Sequence, residues 1–75
     1  MTTRFIKINE IKDLMTLVSF SGKEDTEIVI RRGRYAVDGA SLLGVLSLDP
    51  SDGIAVEYEE PISADFDNFL SSHQI

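Results

Sequence analysis

Residues 37–48 read V-D-G-A-S-L-L-G-V-L-S-L, and the other predicted elements are arranged around this stretch. The turn residues Asp38 and Gly39 precede Ser41, whose hydroxyl can accept a hydrogen bond from an unpaired backbone N–H and so begin a helix. The residues that follow are almost all apolar. Because one helix face cannot hold so many large side chains, we expect this helix to lie flat on other apolar surface. Its hydroxyl and apolar body also suit a docking surface.

Length and composition indicate a small domain without covalent cross-links. The 75 residues predict a single domain over residues 1–75, and a domain of this size buries only about 60% of the surface of its unfolded chain. The sequence contains no cysteine, so neither a disulfide nor a thiolate metal site is expected. The N-terminal residues resemble neither a signal peptide nor a membrane span, and we expect a soluble cytoplasmic protein.

Charge and motifs exclude several classes of function. The net charge is −6 with only seven basic residues, which argues against a nucleic-acid binder and weakly favours basic partners. The sequence has no glycine-rich phosphate loop, Cys/His cluster or Ser/His/Asp set. We therefore expect no metal ion, no cofactor and no membrane association, and a binding or regulatory protein rather than an enzyme.

The first half of the chain predicts a strand, a helix and a hairpin. Apolar residues alternate over residues 4–8, a strand pattern, and Asn9 is a fair N-cap for a helix over residues 11–20. Gly22 then offers a left-handed cap after the helix. Strands are expected over residues 26–32 and 35–37, joined by the turn Arg31-Arg32-Gly33-Arg34. Its arginines protect a sheet edge or, alternatively, contact a phosphate or carboxylate.

The second half adds one strand and one further helix. Asp49-Pro50 ends the central helix, because proline disfavours helical geometry in the residue before it. A strand follows with one buried face (Ile54, Val56, Tyr58) and one wet face (Ala55, Glu57, Glu59). Ser63 caps a last helix, whose apolar face is Phe66, Phe69 and Leu70. His73, near the C-terminus, is expected to be solvated in a frayed tail.

The order β-α-β-β-α-β-α predicts an α+β domain with a four-stranded antiparallel sheet and its three helices on one face. This order of elements and the central stretch of residues 37–48 together resemble the HPr phosphocarrier family of the bacterial sugar phosphotransferase system. The run A-S-L-L-G-V-L-S-L from Ala40 is similar to the family's K-S-I-M-G-V-M-S-L, and the match extends without a gap from about Ile8 to Tyr58. The resemblance implies an HPr-like open-faced β-sandwich with strand order 1-4-2-3.

The family's phosphocarrier histidine has no counterpart in this sequence. The family carries it in a G-L-H-x-R-P-A-like motif, and the match places Glu10 on the histidine, Lys12 on the arginine and Asp13 on the proline. A carboxylate does not replace the nitrogen nucleophile of a phosphoryl carrier. The resemblance therefore implies an HPr-like protein without histidine phosphocarrier activity. Glu10 is then a first-turn acid that stabilises its helix, or a permanent charge where the family presents a phosphate only transiently.

Ser41 is the functional candidate that the resemblance retains. In Gram-positive members a dedicated kinase phosphorylates the matching serine, and the product binds a transcriptional regulator. The resemblance thus implies a protein partner, such as a serine kinase or a transcriptional regulator, that docks on Leu42, Leu43 and Leu46 together with Glu10 and Lys12. Ala40 and Asp38 depart from the family pattern, and Ser41 as a helix cap alone is the other interpretation. A phosphocarrier that uses another residue and a degenerate partner-binding domain are the alternative functions.

Overall fold

A computed structural model describes all residues, 1–75. Its elements in chain order are β1 (Thr2–Ile6), α1 (Ile11–Lys23), β2 (Val29–Arg32), β3 (Tyr35–Asp38), α2 (Leu42–Ser47), a single 3₁₀ turn (Pro50–Asp52), β4 (Ile54–Tyr58) and α3 (Ala64–His73). No helix is both long and apolar enough to cross a lipid bilayer.

The four strands form one antiparallel sheet in the order β1-β4-β2-β3. Central β4 pairs with β1, where Ile6 lies opposite Ile54, and with β2, where Ile30 lies opposite Val56. The side chains of these residues are buried beneath the helices, while the other face of the sheet is open. The predicted fold class, strand order and element sequence are confirmed.

The core lies between β4 and the three helices. Ile54, Val56 and Tyr58 are buried as the alternation predicts, and Phe66 of α3 is fully buried among them. Ala55 was expected on the wet face but is only 9% exposed. Its cross-strand neighbours are Phe5 and Arg31, and these larger side chains flank the small methyl group.

Several element boundaries differ from the predicted ones. β1 begins and ends two residues earlier than expected, and β2 begins at Val29. α1 does not end before Gly22 but continues to Lys23, and inside it the buried Ser21 hydroxyl donates to the Leu17 carbonyl at 2.8 Å. Gly22 therefore takes no left-handed cap conformation. The N-cap of α1 is Glu10 instead of Asn9, and its side chain makes no capping hydrogen bond.

The C-terminal residues are ordered against β1, contrary to the expected frayed tail. Gln74 forms an antiparallel bridge with Ile6, and the Ile75 N–H donates to the Phe5 carbonyl at 2.9 Å. Arg4 of β1 donates to Asp67 at 2.6 Å, and it also reaches α3 at Ser71 and the tail at Gln74. The guanidinium therefore fastens α3 and the tail to the edge of the sheet.

Candidate functional site

Three hydrogen bonds shape the turn that starts α2. The Asp38 carboxylate accepts from the Ala40 N–H at 2.9 Å, and the Asp38 carbonyl accepts from the Ser41 N–H at 3.0 Å. The Ser41 hydroxyl then accepts from the Gly44 N–H at 3.1 Å. The predicted N-cap at Ser41 is thereby confirmed, and the residue itself is exposed.

Close packing fixes α2 against β3. A Cβ on Gly44 would lie 3.2 Å from the Cβ of Val37, tighter than ordinary van der Waals contact, so a larger residue here would push the helix and the strand apart. Gly39 is buried in the preceding turn, and its N–H donates to the Ile28 carbonyl at 2.8 Å. These contacts leave little freedom for the start of α2, and they hold Ser41 in one position.

The apolar side chains of α2 do not all enter the core. Val45 and Leu48 are buried, but Leu42 is 39% exposed, Leu43 78% and Leu46 48%. The expectation that this helix lies flat on other apolar surface was wrong for Leu42, Leu43 and Leu46, because the short helix packs mainly against α1 and β3 and leaves them exposed. Leu42, Leu43 and Leu46 form an outward-facing group, which we call the leucine patch.

A second pair of exposed apolar residues lies on α1. Ile11 and Met15 are 62% and 56% exposed, although the apolar residues of α1 recur at helical spacing. Ile11 and Leu46 line the same shallow depression, at the start of α1 and the end of α2. The sequence does carry a signal for this exposure, because the apolar face of α1 is wider than its buried residues Leu14 and Leu17 require.

Glu10 and Lys12 lie at the start of α1. Glu10 lines the depression that contains Ile11 and Leu46, so it is brought close to one member of the patch. Its carboxylate is 3.7 Å from the Lys12 ammonium, and both side chains are more than half exposed. Ser41 lies at the other end of α2, so the structure separates it from Glu10 by the length of that helix.

The hairpin arginines are largely committed to contacts within the protein. Arg31 donates to Glu57 at 2.9 Å across the open face of the sheet. Arg32 donates to the Leu48 carbonyl at 2.8 Å and to Asp52 at 2.7 Å, and thereby ties β2 to the end of α2. Arg34 lies over the Tyr35 ring, 5.5 Å from its centre. The three guanidinium groups therefore point to separate partners and do not converge on an anion site.

His73 is held in the structure, which corrects the expectation of a solvated tail residue. Its Nδ1 lies 3.0 Å from the Phe69 carbonyl and its Nε2 3.4 Å from an Asp13 carboxylate oxygen. Its ring also packs against Phe69, with 4.4 Å between ring centres and a tilt of 38° between the planes. A backbone carbonyl oxygen and a carboxylate oxygen therefore lie beside the two ring nitrogens, and the carboxylate disfavours an anion at Nε2.

The hydrogen bonds that Arg4 donates to Asp67 and, secondly, to Tyr58 raise the pKa of its guanidinium, so it stays charged at every ordinary pH. No three histidine, cysteine, aspartate or glutamate side chains come together in an arrangement that could hold a metal ion.

Comparison with known proteins supports the fold at the level of structure. No family model and no curated protein matches the sequence. The chain is similar in structure to "HPr-C-His from Thermoanaerobacter tengcongensis", with a TM-score of 0.75 and 18% sequence identity. The superposition covers 96% of this chain and 89% of that one. The chain therefore has the HPr fold.

Proposed function

We propose that this chain is an HPr-like regulatory protein related to the sugar phosphotransferase system, which binds a protein partner and does not carry a phosphoryl group on histidine. The observation that carries the proposal is the leucine patch. Three leucines that a small domain could have used for its core face outward on α2. On the HPr fold they lie on the helix that Ser41 begins.

The chemistry at the start of α1 argues against the phosphocarrier alternative. Glu10 occupies the N-cap of that helix, and a carboxylate is a poor carrier because its acyl phosphate needs an acceptor site built for it. His73 is the only imidazole in the sequence, and it faces the Asp13 carboxylate and the Phe69 carbonyl. A phosphoryl group on Nε2 would meet the negative charge of Asp13 at close range.

Ser41 is proposed as the point of regulation. Its hydroxyl is exposed, and a phosphate there would keep oxygens that can accept from the free N–H groups of the first turn. The nearby carboxylate of Asp38 would repel it, and no basic side chain contacts Ser41. Phosphorylation would therefore add negative charge beside Leu42 and Leu43, which a partner could recognise. It would not form a new ion pair within the protein.

Mass spectrometry of two phosphorylation mixtures tests this proposal. One mixture contains the protein, the HPr serine kinase of a Gram-positive bacterium and ATP, and the other contains enzyme I and phosphoenolpyruvate. We expect added phosphate only in the first mixture. Ser41→Ala should abolish it, whereas Ser47→Ala, in the same helix and with its hydroxyl bonded to the Gly44 carbonyl, should not.

The outcomes separate the three candidate functions. Phosphate added in the enzyme I mixture would overturn the proposal in favour of a phosphocarrier, and His73→Asn would then identify or exclude the imidazole. No phosphate in either mixture would remove the regulatory role of Ser41 and leave a partner-binding domain. The role of Glu10 is tested separately, by measuring the affinity of the Glu10→Gln variant for the captured partner. An unchanged affinity would show that the partner does not recognise the permanent charge of Glu10.

A further inference from the structure

Two aspartate-glycine pairs occur in this chain, Asp38-Gly39 between β3 and α2 and Asp52-Gly53 immediately before β4. In such a pair the glycine nitrogen can attack the side-chain carboxyl carbon of the aspartate, because glycine has no Cβ to obstruct the approach. The ring that forms reopens in part as isoaspartate, an isomer whose main chain runs through the side-chain carbons. The reaction needs a backbone that can rotate and a glycine N–H that is not held in a strong hydrogen bond.

The fold protects Asp38-Gly39. Gly39 is buried, and its N–H donates to the Ile28 carbonyl at 2.8 Å. The space beside its Cα is already filled, since a Cβ there would lie 2.8 Å from the Ser21 hydroxyl oxygen. The Asp38 carboxylate is itself held, because it accepts from the Ala40 N–H at 2.9 Å. Neither the nitrogen nor the carboxyl group is therefore free to rotate into the geometry of the ring.

The contacts that hold Asp52-Gly53 are weaker. The Gly53 N–H donates to the Pro50 carbonyl at 3.3 Å, beyond the usual range of about 2.7–3.2 Å, and it does so within a single 3₁₀ turn, where hydrogen-bond geometry is poor. A Cβ on Gly53 would meet only the end of the Ile75 side chain, at 3.2 Å, and the Asp52 side chain is 62% exposed. This turn therefore opens locally more easily than the buried turn at Gly39.

One ion pair restrains the Asp52 carboxylate. Nη2 of Arg32 donates to its Oδ2 at 2.7 Å, and a carboxylate held by this bond cannot rotate freely toward the Gly53 nitrogen. Both side chains are partly exposed to solvent, so the pair is weak and separates readily. Arg32 therefore slows a reaction at Asp52 but does not prevent it.

We propose that Asp52-Gly53 is a site of spontaneous isoaspartate formation in the folded protein, with Arg32 as the residue that slows it. The Gly53 nitrogen bonds to the Asp52 Cγ, and one carboxyl oxygen leaves as water with the N–H proton and a proton from solvent. Water then cleaves the bond between that nitrogen and the Asp52 carbonyl carbon, so that Gly53 stays attached through the side chain. The carbonyl carbon becomes a free carboxylate, and a proton returns to solvent.

The isomer changes the chain at the entry to β4. The main chain gains one CH₂ group just before Ile54, and the new carboxylate is attached at the Asp52 Cα, where it is no longer placed to accept from Arg32. Arg32 keeps the Leu48 carbonyl as an acceptor but loses its strongest ionic partner. We therefore expect the modified protein to have a lower Tm than the parent. This inference does not depend on the proposed function.

Ageing of the purified protein tests the proposal. The folded protein is incubated at neutral pH for several weeks, and a parallel sample in guanidinium chloride provides the unfolded reference. Peptide mapping with electron-transfer fragmentation locates isoaspartate, and an isoaspartyl methyltransferase with radiolabelled S-adenosylmethionine measures its amount. We expect isoaspartate at both Asp38 and Asp52 in the unfolded chain, and at Asp52 but not at Asp38 in the folded protein.

Two variants test the roles of the individual residues. Asp52→Glu keeps the carboxylate but should abolish the signal at this position, because the longer side chain would have to close a less favourable six-membered ring. Arg32→Met should speed the reaction at Asp52 by roughly two- to fivefold, the effect of losing an exposed ion pair. Asp38 is the internal control, since isoaspartate would also appear there if the variant merely unfolded more often.

Each contrary outcome overturns a stated part of the proposal. Equal amounts of isoaspartate at Asp38 and Asp52 in the folded protein would show that the fold does not select between the two pairs, and the proposal would be wrong. Isoaspartate at Asp52 only in the unfolded chain, or in neither sample, would also overturn it. An unchanged rate at Asp52 in Arg32→Met would remove the protective role of Arg32 and leave the site itself.

Discussion

A pair of glycine substitutions tests how tightly the turn before Ser41 is packed. An alanine Cβ at Gly39 would lie 2.8 Å from the Ser21 hydroxyl oxygen, 2.9 Å from the Ile28 Cγ2 and 3.1 Å from the Ile28 carbonyl oxygen. Non-bonded carbon atoms prefer separations of about 3.5–4.0 Å. The Ile28 carbonyl also accepts the Gly39 N–H, so it cannot retreat without weakening that bond.

Overpacking of this kind costs about 1–3 kcal/mol, and the strained hydrogen bond puts Gly39→Ala near the upper part of that range. In a domain of this size 1 kcal/mol shifts Tm by about 4–8 °C, so we expect a loss on the order of 10 °C. Gly22→Ala is the matched control, because its Cβ meets only Ala40 at 3.8 Å within α1. Alanine is the better helix former, and we expect a gain of about 0.5–1 kcal/mol.

Urea unfolding followed by circular dichroism measures both changes, since the chain has no tryptophan to report by fluorescence. The free energy of unfolding should fall for Gly39→Ala and rise for Gly22→Ala, with similar denaturant dependence. A Gly39→Ala protein as stable as the parent would refute the close approach of the turn to Ser21 and Ile28. A loss in Gly22→Ala would refute the continuation of α1 to Lys23.

Three further predictions concern single contacts. Leu43→Ser should change the free energy of unfolding by less than about 0.5 kcal/mol, because Leu43 is 78% exposed. Val45→Ala, two residues further along and fully buried, should cost about 2 kcal/mol, and equal losses in thermal unfolding would contradict the leucine patch. Arg32→Met should lower the free energy of unfolding in urea by about 1–2 kcal/mol, because the Leu48 carbonyl and Asp52 lose their donor. Arg32→Lys should recover little of this loss, since an ammonium cannot donate to both acceptors in the geometry of the planar guanidinium. Full recovery would show that charge alone matters. Arg4→Met should speed amide hydrogen exchange in α3, because Asp67 and Ser71 lose their hydrogen-bond donor. Unchanged exchange would show that Arg4 does not stabilise the packing of α3 on β1. Because the Arg4 pKa is raised, its contribution is present at all lower pH values and is lost only as pH rises through that pKa, so the effect should not vary across neutral pH.

The sequence alone was enough to predict the architecture. Alternation along residues 54–58, the Ser41 cap and the order of elements predict an α+β sheet with helices on one side, and all three are observed. These features are local, since side-chain period and capping depend on neighbours within one turn or one strand. The start of β2 and the end of α1 were misjudged, because β2 begins where pairing with β4 begins and α1 ends where its packing ends.

Exposure and long-range contact were decided only by the tertiary structure. The apolar pattern could not tell that Leu43, Ile11 and Met15 face outward, because periodicity marks an apolar face and not the extent of the surface that covers it. The apolar pattern also could not predict the contacts of His73 with Asp13 and of Arg4 with Asp67, because the residues of each pair lie more than fifty positions apart in the chain. The sequence by itself determined which segments form helices and strands and which residue opens α2. Only the packing of those segments decided that Leu42, Leu43 and Leu46 are left for a partner, since burial depends on which surfaces meet in three dimensions.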